Sequence, residues 1–285
     1  MADPLLAVAS LAARLLPNSL KQAIYRIPPL ASLIRRALNR AAPSGLVQVK
    51  IAAGGLAGKP MLLDLQTEKD YWLGTYEPAL QTALTDLIRP RMTVYDVGAN
   101  IGYITLLLAK ATGESGRVYA FEALPSNVDR LQVNLALNGL EGRVMVFAGA
   151  VTGGLGPVRF LVHASGGMGK AAGSAGRQAR YDSAITVPGI SLDEFVYAQG
   201  NPPPQVVKMD IEGGEVLALP GMKRVLAEAC PLLLLELHGP ESARAAWEHL
   251  GGAGYRICWM KPGYPAVASL EKMDWKAYIV ARPRE

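Results

Sequence analysis

The chain has 285 residues, half of them hydrophobic and 19% charged, so it can bury the core of one large domain or two small ones. Its two cysteines, Cys230 and Cys258, are too few for a disulfide framework, and its three scattered histidines form no zinc-binding pattern. The net charge of +5 lies at one end, because residues 1–50 hold seven basic residues and one acidic residue. The remainder is nearly neutral, which argues against a nucleic-acid-binding face.

The N-terminal arm is apolar as well as basic. Apolar residues recur at helical spacing, with two arginines on the other side, in the set Leu30, Leu33, Ile34, Leu38, Arg35 and Arg36. Two interpretations stay open: the helix packs on its own domain, or it lies on an anionic membrane surface. Since we find neither a secretory signal nor an uncharged run of membrane-spanning length, the expected location is cytoplasmic, with or without peripheral membrane contact.

The segments that follow the arm predict a hairpin and a helix. Residues 46–65 alternate in polarity around two central glycines, as in a β-hairpin. Pro78 suits the first turn of a helix with an apolar stripe. We therefore expect an extension of helix and hairpin over residues 1–75 and the main domain over 76–285.

The start of the main domain alternates between strands and helices. Strands are predicted at 92–97, 117–122 and 143–149, with helices at 102–111 and after Ser126, a candidate N-cap. This βαβαβ order is typical of a parallel, doubly wound sheet. Later segments continue the alternation, with strands at 206–210, 232–238, 255–260 and 276–281 and helices after Gly214 and at 241–250.

Residues 163–183 interrupt this alternation. They are rich in glycine and alanine, carry Lys170, Arg177 and Arg180, and contain little that could form a core. We predict a flexible insertion, which either closes over the substrate or is a mobile surface loop.

The first predicted strand of the sheet leads into a glycine turn. Asp96 ends the apolar strand, and Gly98 and Gly102 flank Asn100 before a leucine-rich helix. Glycine lets backbone approach a ligand closely, and open α/β sheets bind ligands at the carboxyl ends of their strands. A carboxylate here suits a sulfonium cation better than a pyrophosphate. Glu122 ends the next strand, where an acid can accept hydrogen bonds from both hydroxyls of a ribose.

A second group of polar residues follows two later strands. Asp210 and Glu212 come after one strand, while Glu236 and His238 share a face at the end of the next. We expect all four side chains at one rim of the sheet, beside the cofactor. The alternative is helix capping and surface charge.

Together these motifs resemble the FkbM-type methyltransferase family. The matching elements are Tyr76-Glu77-Pro78, Asp96–Tyr103, Phe121-Glu122-Ala123-x-Pro125-x-Asn127, Ser191-Leu-Asp193, Lys208–Gly213, Glu215 and Glu236-Leu-His238. Ala123 departs from the family's usual proline. The resemblance implies a Rossmann-like class I methyltransferase fold, α/β, with a mostly parallel seven-stranded sheet, helices on both faces and an antiparallel last strand.

The resemblance also implies O-methylation with S-adenosylmethionine, commonly of sugar hydroxyls in glycans, glycolipids or natural products. The expected cofactor-binding residues are Glu77, Asp96, Gly98, Asn100, Gly102, Tyr103, Glu122, Ala123, Asn127 and Ala150. Within this set Glu122 takes the ribose hydroxyls, and Ala150 lies near the adenine edge. The expected partners are a small-molecule or glycan acceptor, without nucleic acid.

The expected catalytic residues are His238, Asp210, Glu212 and Glu236. His238 is the first candidate for a base that removes the hydroxyl proton, because its ordinary pKa lies near neutrality, and Asp210 or Glu212 is the second. A divalent cation held by these groups is an alternative, but no spacing dictates metal geometry, so we expect a metal-free site. Two further alternatives are an NAD(P)-linked oxidoreductase, disfavoured by Asn100 in the fingerprint glycine position, and a non-catalytic, membrane-associated methyltransferase-like protein.

Overall fold

The computed structural model describes residues 4–16, 20, 27–176, 181–273 and 276–284. Arg177 and Arg180 of the predicted insertion, and the side chains of Leu30 and Arg35, lie outside the described residues. The chain divides into two compact units. The first comprises Met1–Gln81 with Ala136–Gly139, and the second comprises Thr82–Leu135 with Leu140–Glu285.

The first unit contains helices and a two-stranded hairpin. Its elements include α1 (Pro4–Leu15), α2 (Pro28–Ala41), β1 (Leu46–Lys50), β2 (Pro60–Asp64) and α3 (Lys69–Leu73), followed by α4 (Pro78–Leu87). Strands β1 and β2 pair antiparallel, which confirms the predicted hairpin. The predicted helix in the arm is α2, whereas the sequence patterns do not predict α1. Of the apolar stripe on α2, Leu38 is buried but Leu33 and Ile34 are exposed.

The second unit is built on a seven-stranded sheet in the described part of the chain. Its main elements are β3 (Thr93–Val97), α5 (Tyr103–Thr112), β4 (Arg117–Glu122), α6 (Pro125–Ala136), β5 (Val144–Ala148), β10 (Val206–Met209), α7 (Glu215–Ala218), β11 (Leu232–His238), α8 (Pro240–Gly252), β12 (Tyr255–Trp259) and β13 (Lys276–Pro283). The strand order is β12-β13-β11-β10-β3-β4-β5, and only β13 runs antiparallel to its neighbours. This confirms the predicted α/β Rossmann-like methyltransferase fold.

The central strands are apolar along their length because the sheet is buried on both faces. Every residue of β10 is buried, and so are all but the first residue of β11. A parallel strand covered on both faces is expected to be a continuous hydrophobic run rather than an alternating one. Against this background, the polar side chains of β10 and the end of β11 stand out as candidates for the site.

A second sheet includes part of the predicted loop at 163–183. Strands β6 (Ala150–Val151), β7 (Gly156–His163), β8 (Gly169–Ala171) and β9 (Tyr181–Ile190) form it in the order β6-β9-β7-β8. The loop prediction was wrong for β8, where Lys170 and Ala171 are buried. Gly169 lies against the ring of Phe160, where a Cβ atom would come within 2.4 Å of the ring edge. The ring of Phe160, on the neighbouring strand β7, therefore supplies the apolar surface that the glycine-rich segment lacks.

One helix boundary also differs from its prediction. Helix α6 begins at Pro125, so Ser126 lies inside the first turn and the N-cap assignment was wrong. Proline favours this position because its missing N–H is one that the helix leaves unpaired anyway. Both cysteines are free thiols. Among the described residues, no helix has the length and apolar character that crossing a bilayer requires.

Candidate active site

The turn between β3 and α5 adopts left-handed backbone conformations. The φ angles of Gly98, Asn100 and Gly102 are 79°, 50° and 92°. The amides of Gly98 and Ala99 both donate to the carbonyl oxygen of Phe121, at 2.9 and 3.0 Å. A Cβ atom at Gly98 would lie 1.9 Å from the backbone oxygen of Asp210. The glycine turn therefore lies directly against the backbone that carries the second group of polar residues.

Asp96 lies fully buried beneath this turn. Its carboxylate is 3.1 Å from Lys208 Nζ and accepts a hydrogen bond of 2.6 Å from Thr105 Oγ1. Lys208 Nζ also donates to the carbonyl oxygen of Gly98 at 2.8 Å, so this side chain ties β10 to the turn. These contacts hold the turn in shape, and contact between Asp96 and a cofactor stays a prediction. No role for Lys208 or Thr105 follows from the sequence patterns, although a lysine within an apolar strand is itself a signal.

Glu122, at the end of β4, joins the turn to the next helix. Its Oε2 accepts from the Asn100 amide at 2.8 Å, and its Oε1 accepts from the Leu124 amide at 2.9 Å and from Asn127 Nδ2 at 3.5 Å. Burial raises the pKa of Glu122, and the hydrogen bonds from Leu124 and Asn100 oppose that rise. The structure thus brings Asn100, Glu122 and Asn127 together, and nucleoside binding by these residues stays a prediction.

The remaining predicted cofactor-binding residues occupy three places. Tyr103 is buried at the start of α5. Ala123 and Ala150 pack in the same small apolar cluster, next to Glu122. Glu77 has a left-handed φ of 42° and belongs to the first unit, so its part in cofactor binding stays a prediction.

The four predicted catalytic residues meet at the carboxyl ends of β10 and β11. His238 Nε2 lies 3.2 Å from Glu236 Oε1, 3.8 Å from Asp210 Oδ1 and 3.7 Å from Glu212 Oε2. On the other side of the ring, Nδ1 lies 3.7 Å from Glu215 Oε1. His238 and Glu236 are buried, whereas the Glu212 side chain is 42% exposed at the rim. The cluster therefore has a buried interior and one solvent-facing edge.

The charged groups of the cluster shift the pKa values of His238 and Glu236 in opposite directions. Burial opposes the charge on His238, but the carboxylates of Glu215, Glu236 and Asp210 raise the pKa of the imidazole to about 10. Burial also opposes the charge on Glu236, but His238 and Lys276 lower the pKa of this carboxyl to about 2. The near-neutral pKa expected for His238 therefore does not hold here, because four carboxylates surround it. At neutral pH the imidazole carries its proton, which leaves the carboxylates as the groups that can accept one.

The glycine-rich segment reaches this cluster in the part that the structure describes. The Ala175 amide donates to the carbonyl oxygen of Gly213 at 3.0 Å, and Lys170 Nζ donates to the carbonyl oxygen of Ala175 at 2.8 Å. A Cβ atom at Gly176 would lie 3.2 Å from the Cβ of His238. The described part of the segment therefore packs against the His238 cluster, and its closure over a substrate stays a prediction.

Comparison with known proteins places this site in a family. The model of the methyltransferase FkbM domain matches residues 96–257. The hexuronic acid methyltransferase AglP of Haloferax volcanii is 30% identical over 146 residues, covering 51% of this chain and 55% of AglP. A protein-L-isoaspartate O-methyltransferase of Aeropyrum pernix is 40% identical over 67 residues, covering 24% of this chain and 26% of that enzyme. The chain thus spans about half the length of the first relative and about a quarter of the second.

Solved methyltransferase structures are similar at low identity. The FkbM methyltransferase of Methylobacillus flagellatus is 17% identical, with a TM-score of 0.43 over 76% of this chain and 54% of that one. A SAM-dependent O-methyltransferase of Thermotoga maritima is 12% identical, with a TM-score of 0.44 over 90% of this chain and 82% of that one. Our assignment rests instead on the strand order and on the family match, which spans the glycine turn, Glu122 and the His238 cluster. The chain therefore belongs to the methyltransferase FkbM domain family, a family of S-adenosylmethionine-dependent methyltransferases.

Proposed function

We propose that this protein transfers a methyl group from S-adenosylmethionine to a hydroxyl group of a sugar-containing acceptor. The observation that carries the proposal is the contact between the two halves of the site. The turn at Gly98 lies against the backbone of Asp210, and the Asp210 side chain faces His238. A cofactor in the turn and an acceptor at the cluster would therefore be neighbours. The name of AglP, a hexuronic acid methyltransferase, supports a sugar as the acceptor.

The residues of the turn fit the proposed cofactor. Glu122 offers a buried carboxylate at the end of a strand, where an acid can accept hydrogen bonds from ribose hydroxyls. Its hydrogen bond to the Asn100 amide fixes the turn beside it. When bound, S-adenosylmethionine supplies an electrophilic methyl group on a sulfonium.

The cluster would orient the acceptor hydroxyl and remove its proton. The bound cofactor would supply the methyl group to the acceptor oxygen, and a carboxylate of the cluster would accept the proton that the hydroxyl loses. Asp210 and Glu212 are the candidates, because both lie at the open side of the cluster, whereas Glu236 pairs with Lys276. In the absence of a bound ion, His238 carries a proton and keeps the neighbouring carboxylates charged. Alignment of the oxygen with the methyl carbon supplies much of the rate.

Cofactor binding tests the enzyme class directly. In calorimetry, we expect micromolar binding of S-adenosylmethionine and S-adenosylhomocysteine, and none of NAD. Glu122→Gln should weaken binding of both sulfur cofactors at least about tenfold, because its amide group places a donor where the structure needs an acceptor. Asp129→Asn, on the exposed face of α6, is the matched control and should bind normally.

Two results would contradict the proposal. Binding of NAD without binding of the sulfur cofactors would favour the oxidoreductase, and binding of neither would favour a non-catalytic domain. The acceptor class is tested next, by following labelled methyl groups onto glycans that contain hexuronic acid and onto matched neutral glycans. The absence of transfer to any glycan hydroxyl would remove the sugar from the proposal.

We also propose that the first unit contacts anionic membrane surfaces. Val8, Leu11 and Leu15 recur on one face of α1 and are exposed, as are Leu33 and Ile34 on α2. The excess positive charge of the chain lies in the same segment, residues 1–50. Exposed apolar side chains among basic ones suit an interface of acyl chains and anionic headgroups. The charge complementarity selects an anionic lipid surface as the partner.

Vesicle sedimentation of the full chain tests this contact. We expect binding to vesicles that contain phosphatidylglycerol, little binding to neutral phosphatidylcholine, and release by salt. The double variant Leu11→Ser, Leu33→Ser should lower binding at least about tenfold, since burial of each leucine contributes roughly 1.5–3 kcal/mol. Leu155→Ser changes an equally exposed leucine in the second unit and should bind normally. Equal binding by all three proteins would contradict the proposal.

A further inference from the structure

We propose that Asp210, Glu236 and His238 bind a divalent metal ion that holds the acceptor hydroxyl. The inference rests on the proposed function, because it assigns the ion to the same cluster. It goes beyond that function by adding a second bound group to the site. From the sequence we expected a metal-free site, because no spacing along the chain dictates coordination. The fold instead brings three residues from separate positions together.

The distances between the candidate ligand atoms suit a single ion. One oxygen or nitrogen atom from each of the three residues lies within 4.8 Å of the others. His238 Nε2 is 3.2 Å from Glu236 Oε1 and 3.8 Å from Asp210 Oδ1. Ligands bound at about 2.0–2.6 Å from one ion are separated from each other by roughly 3–5 Å. The three side chains therefore need only small movements to bind an ion between them.

A carboxylate lies on the far side of the imidazole, where a metal-binding histidine usually has a partner. Metal-binding histidines donate their other ring N–H to a carboxylate, carbonyl or water. His238 Nδ1 is buried, makes no hydrogen bond to the described residues and lies 3.7 Å from Glu215 Oε1. Glu215 is itself held by Ser242 Oγ, which donates to its Oε2 at 2.9 Å. An ion would bind Nε2, and Glu215 would be placed to accept a hydrogen bond from Nδ1.

The close grouping of carboxylates at the cluster is a further reason to expect a cation. Among the described residues, the carboxylates of Asp210, Glu212, Glu215 and Glu236 all lie within 4 Å of the His238 ring nitrogens. A divalent cation between these oxygens would reduce the repulsion among the carboxylates.

A buried oxygen at the same place also lacks a partner. Glu236 Oε2 is inaccessible to solvent and accepts no hydrogen bond from the described residues. Lys276 and His238 contact only the other oxygen of this carboxylate. Buried charges in proteins are paired or bind metals, so a divalent ion would give this buried oxygen the partner that it lacks.

The ligand set indicates which ion to use as a probe. Carboxylate oxygens suit magnesium, calcium and manganese, and an imidazole nitrogen shifts the preference toward a transition metal. Manganese suits both kinds of ligand. A bound ion would take the place of the proton on His238 Nε2, fix the hydroxyl oxygen and lower its pKa, and the released proton would pass to a carboxylate or to water.

Electron paramagnetic resonance tests the site without reference to activity. Free Mn²⁺ is titrated with this chain, and we expect one bound ion per chain. Asp210→Asn and Glu236→Gln should each weaken Mn²⁺ binding at least about tenfold, because each removes a charged ligand. Glu248→Gln, at an exposed position of α8, keeps all candidate ligands and should bind Mn²⁺ normally.

Calorimetry with S-adenosylhomocysteine on the same samples separates the two proposals. Absence of bound Mn²⁺, or equal binding by the wild type and both ligand variants, would overturn the metal site, while intact cofactor binding leaves the proposed function standing. Failure of the wild type to bind the cofactor would instead overturn the proposed function. Loss of Mn²⁺ binding in variants that still bind the cofactor supports the metal site, because such variants remain folded.

Discussion

Replacing Asp210 by Asn is expected to lower the rate of methyl transfer by at least about 100-fold. The Asp210 side chain faces His238 at the rim of the cluster, and an amide group can neither take up the hydroxyl proton nor carry the charge that a cation needs. Affinity for S-adenosylmethionine should stay within about twofold, since the turn at Gly98 contacts the Asp210 backbone rather than its side chain. The measurements are kcat with a glycan acceptor and the cofactor Kd.

Two further variants sharpen this experiment. His238→Gln should cause a similar loss, and the double variant should be little worse than either single one, because residues that act as a unit have non-additive effects. Glu248→Gln is the matched control for loss of an acidic side chain. Near-normal kcat in both Asp210→Asn and His238→Gln would show that the cluster is not the catalytic centre.

Replacing Gly98 by Ala is expected to be the most destabilising single methyl addition in the cofactor turn. The new Cβ atom would lie 1.9 Å from the backbone oxygen of Asp210, and the φ angle of 79° is unfavourable for a residue with a side chain. Since the obstacle is backbone at a strand end, it cannot move aside as a flexible side chain can. We expect a loss of at least about 2 kcal/mol in unfolding free energy, together with loss of cofactor binding.

Denaturant unfolding and cofactor calorimetry on the same sample check this expectation. Gly154→Ala is the matched control, because a Cβ atom at Gly154 would have no other atom within 4 Å and the φ angle there is not in the left-handed region. It should change the unfolding free energy by less than about 1 kcal/mol. An unchanged denaturation midpoint for Gly98→Ala would contradict this expectation. It would mean that the turn at Gly98 can move away from the Asp210 backbone and accommodate the methyl group.

The two sites that carry the proposed function differ in how far the sequence predicts them. Gly98, Glu122, Asp210 and His238 each stand at the carboxyl end of a strand, and their grouping follows once those strands are parallel neighbours. The protonation of His238 does not follow, because it depends on four carboxylates from three different elements. A sequence pattern can place a histidine at a rim, but the charge around it is a property of the assembled site.

The sequence alone determined the strands of the main sheet and the helices that connect them. Strands 117–122 and 232–238 have the predicted bounds, because a run of apolar residues closed by a polar or glycine turn reflects local backbone preference. Only the tertiary structure decided the ion pair of Lys208 with Asp96 and the strand Gly169–Ala171. Lys208 pairs across neighbouring strands, and Gly169 is stabilised beneath Phe160. Both depend on groups that are distant along the chain, so burial and pairing, rather than local preference, determine them.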